Sequence, residues 1–119
     1  MESKAVEITR EKDVAIAAFQ GSSLSNPQEV ADVSAKLLAY ISEHKPATLI
    51  VDFEPVKFFS SQVLGVLINT RAKLKEYGGQ VFVCGINPQL YRVFRITNLD
   101  KIFKFYPTRD VALKDAGIE

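Results

Sequence analysis

The stretch Leu49-Ile50-Val51-Asp52-Phe53-Glu54-Pro55-Val56-Lys57-Phe58-Phe59-Ser60-Ser61-Gln62-Val63-Leu64-Gly65 decides the fold. Its apolar opening, Leu49 to Val51 and on through Asp52 to Phe53, reads as a buried strand, because β-branched residues suit a pleated surface covered on both faces. Glu54 to Lys57 break that pattern. From Val63 the apolar residues Val66, Leu67, Thr70, Leu74 and Tyr77 recur at the spacing of one helical face, so a strand leads through a turn into a helix. Phe58-Phe59-Ser60-Ser61-Gln62 lies where the strand's carboxyl end becomes the helix's amino end, the usual location of sites in α/β proteins.

Upstream, Ala5 to Arg10 and Val14 to Phe19 flank Glu11-Lys12-Asp13, and apolar and polar residues alternate through the first segment and the start of the second. That pattern predicts a hairpin. Gly21 to Ser25 reads as a loop. Asn26-Pro27-Gln28-Glu29 is a helix start, with Asn as cap, Pro in the first helical position and Glu placed to reach back. The buried stripe of this helix is expected at Val30, Val33, Leu37, Tyr40 and Ile41, with Pro46 ending it just after the cations His44 and Lys45.

Downstream, the helix after Ser61 should end at Gly78-Gly79, with Lys73, Lys75 and Glu76 on its wet side. Gln80 to Cys84 reads as a strand, Asn87-Pro88 starts a third helix with Leu90, Val93 and Phe94 inward, and Ile102 to Tyr106 reads as a last strand. Thr108 opens a short helix to about Asp115, anchored by Val111 and Ala112. Strands separated by helices imply parallel pairing through right-handed crossovers. The expected fold is therefore α/β: a mixed sheet with an N-terminal hairpin, central parallel strands and about four helices.

A chain of 119 residues fits one domain, 1–119, and its fifteen basic and fourteen acidic residues give a net charge of +1. No long-range field toward nucleic acid or an anionic membrane follows from that balance. The lone Cys84 leaves no internal disulfide, and no apolar run is long enough for a signal peptide or a membrane span, so the cytoplasm is the default compartment.

Taken together, the hairpin, the capped helix after Gly21-Ser22-Ser23-Leu24-Ser25, the apolar strand leading to Phe58-Phe59-Ser60-Ser61-Gln62-Val63-Leu64-Gly65, the Gly-Gly turn and the terminal Asn98-Leu99-Asp100-Lys101-Ile102-Phe103 resemble the STAS domains of bacterial anti-sigma factor antagonists. In that family the helix start typically reads Phe-Met-Asp-Ser-Ser-Gly-Leu-Gly. Laying its Leu-Gly on Leu64-Gly65 puts Phe58 on its Phe and Ser61 on its first Ser, the phosphorylated position. The resemblance implies a regulatory domain with no catalytic centre and no cofactor. Its partners would be a serine kinase of the histidine-kinase-like ATPase type, which is also the anti-sigma factor, and a metal-dependent serine phosphatase. In the unphosphorylated form it would bind the kinase and free a sigma factor for transcription.

Ser60 stands where the family has Asp, Gln62 where it has Ser or Thr, and Val63 where it has Gly, so the phosphorylation motif is divergent. In the loop before the first helix, Ser25, with Asn26 beside it, falls near a family Asp. A phosphate on Ser61 would meet free N–H groups and the positive end of the helix dipole, so the fold would tolerate it. It would also set charge beside Phe58 and Phe59, the expected partner-binding surface together with Ser25 and Asn26. Ser60 is the expected helix cap, with Gln62 in the phosphosite neighbourhood and Gly65 allowing close packing at the helix start. The blander reading is that Ser60 only caps and Ser61 only fills the first turn.

Other features carry less chemistry. His44 and Cys84 form no metal-ligand or nucleophile constellation, and Gly78, Gly79 and Gly85 lack the spacing of a phosphate-binding loop. Arg71, Lys73 and Lys75 with Arg92 and Arg95 read as solvated faces without interleaved aromatics. A phosphorylation-independent scaffold is the alternative function, and a small enzyme or ligand-binding domain using the Ser60-Ser61 turn the weaker one.

Overall fold

The computed structural model describes residues 5–118. Strands β1 (Val6–Glu11) and β2 (Val14–Phe19) form the hairpin, paired antiparallel from Val6 opposite Phe19 to Glu11 opposite Val14. After β3 (Ser23–Leu24) and helix α1 (Pro27–His44), strand β4 (Thr48–Asp52) enters the sheet, followed by β5 (Phe58–Phe59), α2 (Gln62–Lys75), β6 (Gln80–Cys84), α3 (Pro88–Ile96), β7 (Lys104–Tyr106) and α4 (Arg109–Asp115). The five-stranded sheet has the order β1-β2-β4-β6-β7, and every pair after the hairpin is parallel. The Leu49 strand is thus central and wholly buried, as the apolar run Leu49 to Val51 at its middle requires.

Strand alternation divides the sheet into two unequal faces. Ala15, Ala17, Leu49, Val51, Val81 and Val83 meet the inward stripes of α1, α2 and α3. Val14, Ile16, Ile50, Phe82 and Cys84 turn to the other face, where Ala112 and Leu113 of α4 cover them.

Both Asn-Pro starts act as expected. Asn26 Oδ1 accepts from the N–H groups of Gln28 and Glu29 at 2.9 and 3.2 Å, and Asn87 Oδ1 accepts from Leu90 N–H at 2.9 Å. Lys45, at φ 44°, ends α1 in the left-handed region, and Gly78 at φ +86° follows α2.

Several expectations are corrected. Tyr40 is half-buried, its ring 4.4 Å from that of His44, and lies at the margin of the α1 stripe. The last strand begins at Lys104 rather than Ile102, because Asn98, at φ 63°, turns the chain into a single 3₁₀ turn, Leu99–Lys101, closed by Ile102 N–H on the Leu99 carbonyl. Val111 is 42 % exposed and anchors nothing; the short α4 has room for one fully buried side chain, Ala112. Lys73 is half-buried beside Glu76, at 3.7 Å.

Candidate functional site

A two-stranded ladder that carries no sequence periodicity builds the site. β3 and β5 pair in parallel, Ser23 opposite Phe58 and Leu24 opposite Phe59. Lys57 N–H donates to the Ser22 carbonyl at 2.7 Å, and Ser60 N–H donates to the Leu24 carbonyl at 3.1 Å. Gly21 to Ser25, read as a loop, holds this two-residue partner strand, Ser23–Leu24, and the register carries Ser25 toward Ser60. Two residues are too few to show alternation, so only the pairing reveals the strand.

Alternation then separates the two phenylalanines. Phe59 points inward, its ring edge-on to Phe53 and Phe94 with centroids 5.8 and 6.1 Å away, while Phe58 stands 58 % exposed.

Ser60 does not cap α2. Its Oγ is buried and has no hydrogen-bond partner, because Ser60 is held as the end of the β5 ladder rather than in the cap position. Ser61 holds the cap position but with helical angles, φ −60° and ψ −21°, and no side-chain cap bond. Val63 N–H bonds to the Ser60 carbonyl and Leu64 N–H to the Ser61 carbonyl, at 3.0 and 3.1 Å, so the first turn is tight. The Ser61 side chain is therefore free, exposed, and set at a helix start that no side chain caps and whose first turn carries no acid. Such an end attracts an anion.

Gln62 and Gly65 are exposed on the same helix. The packing role expected for Gly65 is overturned: a Cβ there would meet nothing within 4 Å, because the glycine lies on the outer face of α2. In the neighbouring loop the Ser23 and Ser25 hydroxyls are 3.0 Å apart. Asn87 ties α3 to the same turn by donating from Nδ2 to the Val56 carbonyl at 3.2 Å.

At the carboxyl end of β4, on the face that α4 covers, lies a cluster that sequence reading passed over. Asp52 is 3 % exposed and receives hydrogen bonds from Arg109 Nε at 2.9 Å and from Glu54 N–H at 3.0 Å. Arg109 Nη2 lies at 2.9 Å from the same carboxylate oxygen as Nε. An acid inside an otherwise apolar strand was the available signal, since a buried charge demands a partner. Burial first, and then the neighbouring Asp52 carboxylate, push the Cys84 thiol up to about 12. Cys84 is thus an inert neutral thiol at ordinary pH. Among the described residues no group of three His, Cys, Asp or Glu side chains could hold a metal ion, and no helix is long and apolar enough to cross a membrane.

Comparison with known proteins agrees with this architecture. A family model described as STAS domain matches residues 7–112. A Thermotoga neapolitana protein, described by resemblance as an anti-sigma factor antagonist, is 35 % identical over 72 residues, covering 60 % of this chain and 61 % of its own. The chain spans about three fifths of the length of the curated relatives it matches first. Among solved structures, an anti-sigma-factor antagonist (STAS) domain protein from Planctomyces limnophilus superposes with a TM-score of 0.83 at 25 % identity, covering 97 % of this chain and 98 % of that one. The phosphorylated form of the Bacillus cell fate determinant SpoIIAA superposes with a TM-score of 0.74 at 18 % identity, covering 94 % and 99 %, a likeness of fold.

Proposed function

The chain belongs to the STAS domain family, and we propose that within it the protein acts as an anti-sigma factor antagonist, a binding module switched by phosphorylation of Ser61. The observation that carries this reading is the Ser61 hydroxyl, exposed and uncommitted at an uncapped helix start next to the exposed ring of Phe58. Names of the relatives and neighbours support the antagonist role, and SpoIIAA is a neighbour recorded in a phosphorylated form.

In this reading the partner is an anti-sigma factor that is itself a serine kinase of the histidine-kinase-like ATPase type. It docks on Phe58, Ser25 and Asn26, Phe59 being turned into the core rather than toward a partner as expected, and transfers the γ-phosphoryl group of ATP to Ser61. The Ser61 Oγ–P bond forms as the bond from the γ-phosphorus to ADP breaks, and the hydroxyl proton passes to a base of the kinase. The product charge, near minus two, is stabilised by the α2 N–H groups and dipole, so the fold persists. The partner must now desolvate that charge beside an apolar ring, and it leaves. A metal-dependent serine phosphatase restores the hydroxyl. The protein itself contributes docking and an acceptor rather than catalysis, and it works in the cytoplasm as one domain.

The test is mass spectrometry after incubation with ATP and the candidate kinase from the same organism, with the phosphate localised between adjacent serines. Phosphate on Ser61 is expected, with Ser61→Asp weakening kinase binding at least about tenfold, or ~1.4 kcal/mol, and Ser61→Ala binding without being modified. Phosphate on Ser60 alone overturns the assignment. A kinase that binds but modifies neither serine favours the phosphorylation-independent scaffold, the reading supported by Ser60 having no acidic side chain.

A further inference from the structure

Ten to fourteen residues further along α2 than Ser61, on a different part of the surface, Arg71 and Lys75 meet Lys104 in one groove. A groove of about 160 Å³ is lined by Arg71 and Lys75 of α2, Gln80, Val81 and Phe82 of β6, and Ile102 and Lys104 before and within β7. Lys101 is exposed next to Ile102. Among the described residues none of Arg71, Lys75, Lys101 and Lys104 has an ion-pair partner. The single acid of the adjoining 3₁₀ turn, Asp100, is not among the lining residues, and its Oδ1 is buried. In a chain of net charge +1 this is a local segregation of charge.

The groove is more than a solvated cationic face. Arg71 Nε donates to the Ile102 carbonyl at 3.2 Å, which fixes one rim, and Lys104 Nζ stands 5.8 Å from the centroid of the Phe82 ring. The side chain of Ile102 is 39 % exposed. β7 pairs with β6 only from Lys104 opposite Phe82, so among the described residues Gln80 and Val81 line the groove with no strand beside them on that side. An open edge, an exposed aliphatic side chain and unpaired cations together suit an extended peptide that alternates carboxylate and apolar side chains. They do not suit nucleic acid: Phe82, the aromatic among the lining residues, is 1 % exposed and offers no face for base stacking.

We propose that this groove binds an acidic, apolar-containing extended segment of a partner protein, at a surface separate from the Ser61 turn. Along α2 the distance from Ser61 to Lys75 is about 20 Å, so both surfaces can be occupied together.

The experiment titrates the whole ¹⁵N-labelled chain with a synthetic peptide of alternating Glu and Leu. Expected are amide shifts confined to Val81, Phe82 and 102–106, affinity that falls as salt rises, and loss of affinity of roughly tenfold or more in Lys75→Glu/Lys104→Glu, two charges reversed. Arg71 is left intact because it holds the Ile102 carbonyl. Ser61→Asp should leave peptide affinity unchanged. The proposal is overturned if shifts scatter or fall on the Ser61 turn, if the peptide with Gln in place of Glu binds equally well, or if single-stranded DNA binds the same residues as tightly. The Gln peptide and the DNA are tested on the unaltered chain, so the result stands even where the double variant does not fold.

Discussion

Ser60 and Ser61 are neighbours in the chain, yet the Ser60 Oγ is buried without a hydrogen-bond partner while Ser61 is exposed. An unpaired buried hydroxyl contributes nothing that alanine would lose, so Ser60→Ala should shift stability by no more than about 0.5 kcal/mol. Asn26→Ala removes two cap bonds and should cost ~1 kcal/mol in urea unfolding. Equal costs for the two would show that Ser60 caps after all. The glycines divide in the same way. Gly85 lies at φ +70°, where a Cβ would come within 2.9 Å of Asp52 Oδ1 and 3.0 Å of Glu54 N, so Gly85→Ala should destabilise by more than about 1 kcal/mol. Gly65→Ala, in an exposed helix with open space around it, should stabilise by about 0.5–1 kcal/mol. Sequence alone could not rank these pairs, because a glycine or a serine carries no sign of what its neighbours in space will be.

At the scale of elements, α4 is held to the central strand by Arg109 on the buried Asp52 carboxylate. Arg109→Ala leaves that carboxylate with the Glu54 N–H and should cost about 1–3 kcal/mol. Lys73→Ala breaks only the solvent-screened pair with Glu76 at 3.7 Å and should cost less than about 0.5 kcal/mol in the same assay. Cys84 adds a pH dependence, since its thiol is pushed from 9.0 to about 12 in the folded chain. The unfolded thiol ionises first, so its contribution to stability is fully present below pH about 9 and is lost as pH rises through about 12. Urea midpoints should fall across that window, and Cys84→Ala should flatten the fall. Helices α1 and α3 were legible because Asn-Pro is both cap and first-turn signal. The ladder of β3 and β5 was not, since two residues have no period.

For the whole molecule, the sheet is covered by α1, α2 and α3 on one face and by α4 on the other; the Cys84 thiol beside Asp52 is buried and held neutral, and among the described residues the exposed Ser61 hydroxyl has no basic side chain bonded to it. Purified protein should therefore hydrolyse neither ATP nor p-nitrophenyl acetate. Turnover that disappears in Ser61→Ala would replace the binding module with an enzyme. The sequence by itself determined the α/β class, the central place of Leu49 to Asp52, the hairpin, and a helix beginning near Ser61. Those features arise from local propensity and from the period of apolar residues, which are properties of the chain read in one dimension. Tertiary structure alone decided which serine is free, which phenylalanine faces out, that Arg109 answers Asp52, and that Arg71, Lys75 and Lys104 converge on one groove. Each of these depends on residues far apart in the chain being brought together, and side-chain exposure and charge pairing exist only after the sheet has closed on its helices.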